Sequence, residues 1–587
     1  MEQAKNSRRI FTALQLGAIT ALSAGLSFTL LLFSPVLFYL DDPAAFMVDL
    51  RHIVVPMTCA AIVLTAAFAG LLCLARLIHR WAYIVLSRLL LGLLLAFTVQ
   101  GFLLNGRMDV VLSADVRYSE YRTRITVNNI VFFTLVLIPL IISVLALIFP
   151  KRCLKAAAGE KSLIATAAVL AALHMASASA RTVMADLDRY KGIQNYYLSY
   201  EPTMSLSEKG NVVVFLTDRL DSLWMDDMLE LYPELYGEFD GFTFYQNATS
   251  TGTSTFPTVP QMLTNSEYDG EEWHEYLSDA WSGETVPSVL KSSGYDVYLL
   301  PDQITTLSSP AQVMGQCDNI KRYETDRRIR LFGRYGTLVT MFRLSLTRMA
   351  PYSFKHDLQY WLGANFSRGM IADPDCGEDV LPKQAFVDHD LKYYSYLITH
   401  GLRADNDSRV FSFIHLNCFH TVYDDTAALH GFEGENDVYK TTRGDFEILS
   451  EYFRQMKELG IYDNSTIIVM GDHGRAPREL ECGSTVLNDA ITTAVLIKPA
   501  GAEHGELLKD RETPLSLANF PASILEYAGV DHSAWGLSFG DIVRGADAGE
   551  RWLRGYAFAG YGRMVYKDSY TINGDARDYD NWTVINE

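Results

Sequence analysis

Five long apolar runs dominate the first 180 residues of the chain, at about 11–40, 53–78, 82–105, 128–150 and 162–179. Each reaches the roughly 20 residues that a helix needs to cross a hydrocarbon core, the last one only just. Runs of this length do not fit a soluble helical domain. The first is also too long for a signal peptide, and further spans follow it. The pattern predicts an α-helical membrane domain over 1–180 with five transmembrane helices.

Basic residues of this region concentrate on one side of the predicted spans. That side holds Lys5, Arg8, Arg9, Arg76, Arg80, Lys151, Arg152, Lys155 and Lys161. The basic residues of the opposite loops are balanced by several acids. The positive-inside rule therefore predicts a cytoplasmic amino terminus. Because five crossings follow, we expect a multi-pass protein of the plasma membrane with the rest of the chain on the outer face.

Residues 181–205 are of mixed polarity and end in an aromatic group, Tyr196, Tyr197 and Tyr200. We interpret them as an interfacial helix that leads into a linker. An ordinary surface helix fits the same pattern equally well.

The region 206–545 alternates strand-like apolar runs with helix-like segments. The strands are predicted at 211–217, 294–300, 410–416, 466–470 and 490–497, and the helices at 287–292, 445–459 and 515–528. This alternation is typical of an α/β domain with a largely parallel central sheet. The remaining residues, 546–587, are assigned to a C-terminal extension of the same domain.

Charge divides the chain in the same way as hydropathy does. Residues 1–180 hold 15 basic and 8 acidic residues, whereas the remainder holds 35 basic and 61 acidic ones. An acidic second half argues against nucleic acid as a partner, because phosphate backbones need basic surfaces.

Four cysteines lie outside the membrane, where disulfides are permitted: Cys317, Cys376, Cys418 and Cys482. Their spacing defines no pairing, and no cysteine has zinc-finger spacing.

Two predicted strands end in residues that bind metals. The run 466–470 stops at Gly471-Asp472-His473-Gly474, and the run 211–217 stops at Asp218. Ends of parallel strands meet at one edge of a sheet, so these side chains can converge there. Asp and His suit zinc or manganese. The alternatives are a polar turn at 471–474 and a salt bridge between Asp218 and Arg219, and Asp221 is a reserve ligand.

Two further segments carry hydroxyl and imidazole groups. A hydroxyl-rich loop at 250–255 precedes a predicted helix at 258–263, and a helix amino terminus stabilises anions. A run of helix caps would give the same loop. His415 and His420 lie at the end of the predicted strand 410–416, where a single histidine would more often be structural.

Taken in order, NVVVFLTD, GTSTFPTVPQMLT, IHLNCFHTVY and IIVMGDHG resemble the alkaline phosphatase/sulfatase superfamily. Five spans before such a domain are similar to lipoteichoic acid synthases and to the phosphoethanolamine transferases that modify lipid A. The segment TPLSLANFPASIL, followed by AGV, is similar to the closing helix of sulfatases. The resemblance covers nearly the whole chain and implies a sulfatase-like domain.

Carried over residue by residue, the resemblance implies that Asp218, Thr255, Asp472 and His473 hold one divalent metal ion, Mn²⁺ or Zn²⁺. Thr255 would be the nucleophile, rather than Thr253, because GTST followed by Pro260 matches the transferase loop. His420 matches the histidine near the transferred phosphoryl group.

The sequence departs from the transferases at three places. Asp218 stands where they usually have Glu, no His lies near position 485, and no aromatic-Trp-Asn-Arg segment occurs around 300–365. The missing second-metal histidine favours one metal over two. The missing segment, which binds glycerol phosphate in lipoteichoic acid synthases, leaves the head group undefined.

The expected function is metal-dependent transfer of a phospho-alcohol group, phosphoglycerol or phosphoethanolamine, from a membrane phospholipid to an envelope glycan or polymer through a phosphothreonine. A membrane-tethered hydrolase of phosphate or sulfate esters is the alternative. Sulfatase activity is disfavoured because the loop lacks the Cys or Ser and the Arg of the formylglycine motif. A non-catalytic envelope protein is the third possibility, and the intact Asp-Thr-Asp-His set argues against it.

Overall fold

In the computed structural model the chain folds into two compact units. The structure describes residues 11–585, except 42, 44, 45, 47, 48, 106–121, 150, 186, 188–195, 302–306, 308, 309, 323–332, 356, 357, 359–369, 371–379, 382–388, 421, 423, 475–491, 559–563 and 567. The first unit combines 1–194 with 330–374, and the second combines 195–329 with 375–587. The predicted region 206–545 thus contributes one internal segment to the first unit.

Among its described residues, the first unit has five helices that are long and apolar enough to cross a membrane, as predicted. They are Ala13–Asp41, Leu50–Ile78, Arg80–Leu104, Thr123–Ile148 and Glu160–Met184. The third and fourth pack backbone to backbone, since a Cβ on Gly92 would lie 1.9 Å from the carbonyl oxygen of Val136. Small residues at such contacts are typical of membrane helix pairs.

A sixth long helix of this unit, Arg334–Met349, comes from the later part of the chain and was not predicted. Buried polar contacts hold its end. Arg348 pairs with Asp41 at 2.7 Å, and its carbonyl oxygen accepts a hydrogen bond from Asn105 at 2.9 Å. Just beyond the helix, the backbone N–H of Tyr352 donates to Asn128 at 2.9 Å.

The second unit is organised around a seven-stranded sheet of order β11-β3-β10-β9-β2-β8-β5. Its strands are β2 (Asn211–Thr217), β3 (Thr243–Tyr245), β5 (Tyr295–Leu300), β8 (Arg409–Leu416), β9 (Ser465–Met470), β10 (Val495–Lys498) and β11 (Leu508–Asp510). Only β10 runs antiparallel to its neighbours, and the other four pairings are parallel. The predicted fold class, five apolar helices followed by an α/β domain with a largely parallel sheet, is confirmed.

Strands β2 and β9 lie at the centre of the sheet and are buried along their whole length. The helix Val438–Glu458 packs on this centre, with Tyr452 5.0 Å from the ring of Phe215. It starts seven residues earlier than predicted, at a cap where Asp437 accepts from the N–H of Lys440. Helices Ser222–Leu231, Leu235–Glu238, Trp273–Ala280, Val286–Ser292, Pro310–Met314, His389–His400, Asp424–Ala427 and Phe539–Val543 complete the unit.

The register of the sheet brings three strand ends to one edge. Thr217, the last residue of β2, pairs with Leu416 of β8, and Leu216 pairs with Met470 of β9. The residues that follow these strands therefore leave the sheet side by side.

The predicted helix 515–528 is partly wrong. Leu515–Ser516 forms a short strand, β12, which pairs with β4 (Ala248–Thr249), and the α-helix covers only Phe520–Tyr527. Pairing with β4 takes the first residues out of the helical pattern. A 3₁₀ turn, Leu517–Asn519, connects the two elements.

Small sheets surround the central one. The C-terminal extension contains β13 (Arg551–Leu553), β14 (Tyr556–Phe558), β15 (Met564–Tyr566), β16 (Ser569–Ile572) and β17 (Trp582–Ile585). A separate three-stranded sheet is formed by β1 (Tyr196–Ser199), β6 (Ile320–Arg322) and β7 (Val380–Leu381). The interval 181–205, predicted as interfacial helix and linker, thus includes the end of the fifth apolar helix and strand β1.

Candidate metal centre

Three buried side chains meet at the shared edge of β2, β8 and β9. One ligand atom each of Asp218, His415 and Asp472 lie within 4.8 Å of one another. His415 belongs to β8, and the other two residues follow the ends of their strands. The parallel register places these residues together, and all three are at most 1% exposed. Of this group the sequence predicted the two carboxylates.

His473 lies beside the same carboxylates. Its Nε2 is 3.8 Å from Oδ1 of Asp218 and 3.6 Å from Oδ2 of Asp472. Its Nδ1 is 2.8 Å from the carbonyl oxygen of Gly474, which fixes the proton on Nδ1. The lone pair of Nε2 is therefore directed at the acidic side of the cluster, which is the arrangement that a metal-binding histidine needs.

The turn that carries Asp472 depends on glycine. A Cβ on Gly471 would lie 2.4 Å from the carbonyl oxygen of Leu220 and 2.7 Å from Oγ1 of Thr493. The backbone after β9 thus passes too close to its neighbours for any larger residue. This close approach brings Asp472 up to the end of β2.

Burial and charge act in opposite directions on the pKa of Asp472. Burial raises it. The neighbouring His473 and His415, the hydroxyl of Thr255 and the N–H of Arg219 together lower it by a larger amount, so the net shift of the pKa is downward. Burial is the main cause that lowers the pKa of His473, opposed by Asp472. The centre therefore favours an ionised Asp472 and a neutral His473, the forms in which these residues bind metals.

This donor set fits a divalent cation. Two buried carboxylates face imidazoles, and Oδ2 of Asp472 is buried without a hydrogen-bond partner among the described residues. Buried carboxylates are costly unless they are paired or coordinate a metal. Carboxylate oxygen with imidazole nitrogen is a common set for zinc and manganese.

Thr255 lies at the start of the helix Thr255–Thr264, against the same centre. It is 9% exposed, and its hydroxyl lies close enough to Asp472 to lower the pKa of that carboxyl. The hydroxyl of Ser250 donates to the backbone oxygen of Asp472 at 2.8 Å and so connects the loop 250–255 to the turn 471–474. The helix begins three residues before the predicted 258, although Phe256 is not helical.

Thr253, the other candidate nucleophile, has a different partner. Its hydroxyl donates to the carbonyl oxygen of Tyr556 at 2.9 Å. The two threonines of the loop thus have separate surroundings. Thr255 lies beside the turn 471–474, and Thr253 is bound to the C-terminal extension.

His420 and Arg219 flank the centre. His420 is half-buried and ends a 3₁₀ turn, Cys418–His420, after β8. Burial, with the positive charge of Arg219, lowers the pKa of His420 to about 3. Arg219 has a φ of 60° and donates its backbone N–H to Oδ1 of Asp472 at 3.1 Å. The sequence suggests Arg219 only as a salt-bridge partner of Asp218.

Asp221, the reserve ligand, has a structural position. It caps the helix Ser222–Leu231 by accepting from the N–H of Leu223 at 2.8 Å, and it accepts from the hydroxyl of Thr492 at 2.7 Å. Of the four outer cysteines, Cys317 and Cys418 are buried free thiols. Cys376, Cys482 and the region around 485 lie outside the described residues.

No protein-family model matches the chain, and no curated protein matches it. Similar solved structures include a protein of the alkaline phosphatase superfamily from Vibrio parahaemolyticus, 14% identical with a TM-score of 0.38. The alignment covers 67% of this chain and 85% of that structure.

Two further similar structures are of enzymes named for their activity. A lipoteichoic acid synthase from Listeria monocytogenes is 12% identical over 67% of this chain and 91% of its own, with a TM-score of 0.36. The soluble domain of a lipooligosaccharide phosphoethanolamine transferase from Neisseria meningitidis is 12% identical over 59% and 95%, with a TM-score of 0.32. Similarity at this level does not establish an activity, and what the site can do follows from its own residues.

Proposed function

We propose that the protein transfers a phospho-alcohol group from a membrane phospholipid to a hydroxyl acceptor, through a covalent intermediate on Thr255. The observation that supports this most is the position of the Thr255 hydroxyl. It lies close enough to Asp472, at the edge of a buried Asp-His-Asp cluster, to lower the pKa of that carboxyl. A hydroxyl is a weak nucleophile at neutral pH and needs an activating partner of this kind.

In the first step, Oγ of Thr255 attacks the phosphorus of the phospholipid diester. The Oγ–P bond forms while the bond from phosphorus to the glyceride oxygen breaks. The threonine proton passes to that oxygen through the groups of the site, so that diacylglycerol leaves and remains in the bilayer. The phospho-alcohol group, phosphoglycerol or phosphoethanolamine, stays on Thr255.

In the second step, an acceptor hydroxyl attacks the same phosphorus. The new P–O bond forms as the Oγ–P bond breaks, and the acceptor proton returns to Thr255. His420, beside the centre, would accept and return this proton once the negative charge of the bound phosphoryl group raises its low pKa. Arg219, whose positive charge acts on His420 and His473, is available to phosphoryl oxygens. We propose an envelope glycan or polymer as acceptor.

Asp218, Asp472 and His473 would hold one divalent cation, with His415 and Thr255 as further ligands. When bound, Mn²⁺ or Zn²⁺ supplies positive charge that lowers the pKa of a neighbouring hydroxyl and polarises a phosphoryl oxygen. The chain's own contribution is to bury the carboxylates, to orient Nε2 of His473 through Gly474, and to hold Thr255 against Asp472.

The membrane unit supports a lipid donor. Its five apolar helices would keep the chain at the bilayer in which the phospholipid lies. We propose the plasma membrane, with the second unit on the outer face, from the distribution of basic residues. The acidic second half gives no reason to expect nucleic acid as a partner.

Purified protein in detergent micelles, given phosphatidylglycerol or phosphatidylethanolamine labelled in the head group, tests the proposal. We expect label from one lipid to remain bound to the protein and to move to an added glycan or glycerol acceptor. Rapid release of the label into water, at the same rate with and without acceptor, would instead support the hydrolase. Absence of both, with metal bound, would contradict the proposed function.

A further inference from the structure

The C-terminal extension runs directly along the nucleophile loop. The N–H of Arg554 donates to the carbonyl oxygen of Thr251 at 3.0 Å, and Arg554 forms a parallel bridge with Gly252. Two residues later, the carbonyl oxygen of Tyr556 accepts from the hydroxyl of Thr253 at 2.9 Å and lies 3.2 Å from the hydroxyl of Ser254, which also contacts the carbonyl oxygen of Phe256. We call residues 554–556 the clamp segment.

A buried arginine just before the clamp segment in the chain, Arg551, holds the segment in place. Arg551 is 4% exposed, and its guanidinium donates to the carbonyl oxygen of Asn247 at 2.8 Å and to that of Leu515 at 3.2 Å. The side chain of Asn247 accepts from the same guanidinium at 2.9 Å and from the N–H of Ala576 at 2.8 Å. Because Asn247 precedes β4, these bonds join the extension to the strand that leads into the nucleophile loop.

The far side of the clamp segment is also held. The guanidinium of Arg554 pairs with Glu267 and, at 2.7 Å, with Asp269. The ring of Tyr556 is buried and lies 4.7 Å from the ring of Tyr268. Glu267, Tyr268 and Asp269 come just after the helix Thr255–Thr264 in the chain. The extension therefore contacts the chain both before and after this helix.

From these contacts we infer that the clamp segment is a positioning element for the nucleophile. It engages the hydroxyls of Thr253 and Ser254, and the loop then presents the next hydroxyl, that of Thr255, to Asp472. The hydroxyls of Thr253 and Ser254 thus hold the loop in place, and the hydroxyl of Thr255 faces the metal centre. The inference rests on the proposed function, because it concerns the reactivity of Thr255.

The test removes one hydrogen bond to the clamp while the reacting residue stays intact. Thr253→Val deletes the hydroxyl with almost no change of shape, and Thr253→Ser keeps it. We expect Thr253→Val to lower kcat and the rate of label transfer to Thr255 roughly 10- to 100-fold, with KM unchanged, because small misplacements of a reacting group cost this much. Thr253→Ser should recover most of the rate. Thr583→Val, in the exposed part of β17, is the matched control.

The readouts separate this inference from the proposed function. If wild-type protein acquires label on Thr255 and Thr253→Val acquires it at the same rate, the positioning role is wrong and the proposed function stands. If Thr255→Ala retains normal turnover, the proposed function itself fails. Should Thr253→Val lose its metal or its thermal transition, Ser254→Ala decides, since it removes the other donor to Tyr556. A wild-type kcat in Ser254→Ala would then overturn the inference.

Discussion

At the scale of single residues, two histidines of one strand end lie in different surroundings. His415 is 1% exposed inside β8, and its Nε2 is 3.8 Å from Oδ2 of Asp218. His420 lies in the turn beyond the strand, is half-buried and is under the influence of Arg219. The first is in the position of a metal ligand, and the second is in the position of a proton carrier.

Replacing each histidine by glutamine should separate the two roles. His415→Gln should lower the metal content after dialysis against a weak chelator. His420→Gln should retain near wild-type metal while kcat falls roughly 10²- to 10⁴-fold, the usual contribution of a general acid or base. Elemental analysis and turnover measured on the same samples check both. Equal metal content in the two variants would contradict the assignment of His415.

Asp221 predicts a dependence of stability on pH. Burial raises its pKa from 3.8 to about 6, so the folded protein binds this proton more tightly than the unfolded chain. Its contribution to stability is therefore lost as pH rises from about 4 to about 6. Asp221→Asn should be more stable than the wild type above pH 6, by about 3 kcal/mol at most. Thermal unfolding followed by tryptophan fluorescence checks this, and a difference that is flat from pH 4 to 7 would refute it.

At the scale of elements, the strands that the sequence predicted best are the fully buried ones. β2 and β9 agree with their predictions, because each is an almost continuous apolar and β-branched run that is buried along its whole length. The three-residue strand Thr243–Tyr245 was missed because its signal is too short. The helix Arg334–Met349 was missed as well, and its packing is set by the apolar helices of the first unit.

The candidate site was predictable where local sequence determines it. Asp218, Asp472 and His473 follow strand ends, so parallel topology alone brings them together. His415 was passed over because a histidine inside an apolar strand has the pattern of a structural residue. The partner of Thr253 was not predictable, because it lies 303 residues away along the chain and is chosen by tertiary packing.

The turn after β9 gives a test at this scale. Gly471→Ala places a Cβ against the Leu220 carbonyl, which cannot give way without moving β2, so we expect a loss of about 1–3 kcal/mol, as in overpacked cores. Gly237→Ala is the matched control, because nothing lies within 4 Å of its Cβ and the residue is helical. Thermal denaturation should show a lower midpoint for Gly471→Ala alone. Equal midpoints would contradict the close approach.

At the scale of the whole molecule, charge and hydropathy divide the chain into a basic membrane part and an acidic remainder. An odd number of spans with basic inner loops predicts that the second unit, 195–329 and 375–587, lies on the outer face of the membrane. Protease added to intact spheroplasts should digest this part of the chain. Complete protection until lysis would reverse the proposed orientation.

The central claim is that Thr255 becomes covalently phosphorylated by the lipid head group. Peptide mass spectrometry of protein quenched during turnover tests it most directly. We expect the added mass of one phospho-alcohol group on Thr255 in the wild type and on no residue of the loop in Thr255→Ala. An adduct on Thr253 would keep the mechanism and contradict the choice of nucleophile. Undiminished turnover in Thr255→Ala, with no adduct on any residue from 250 to 258, would contradict the covalent mechanism itself.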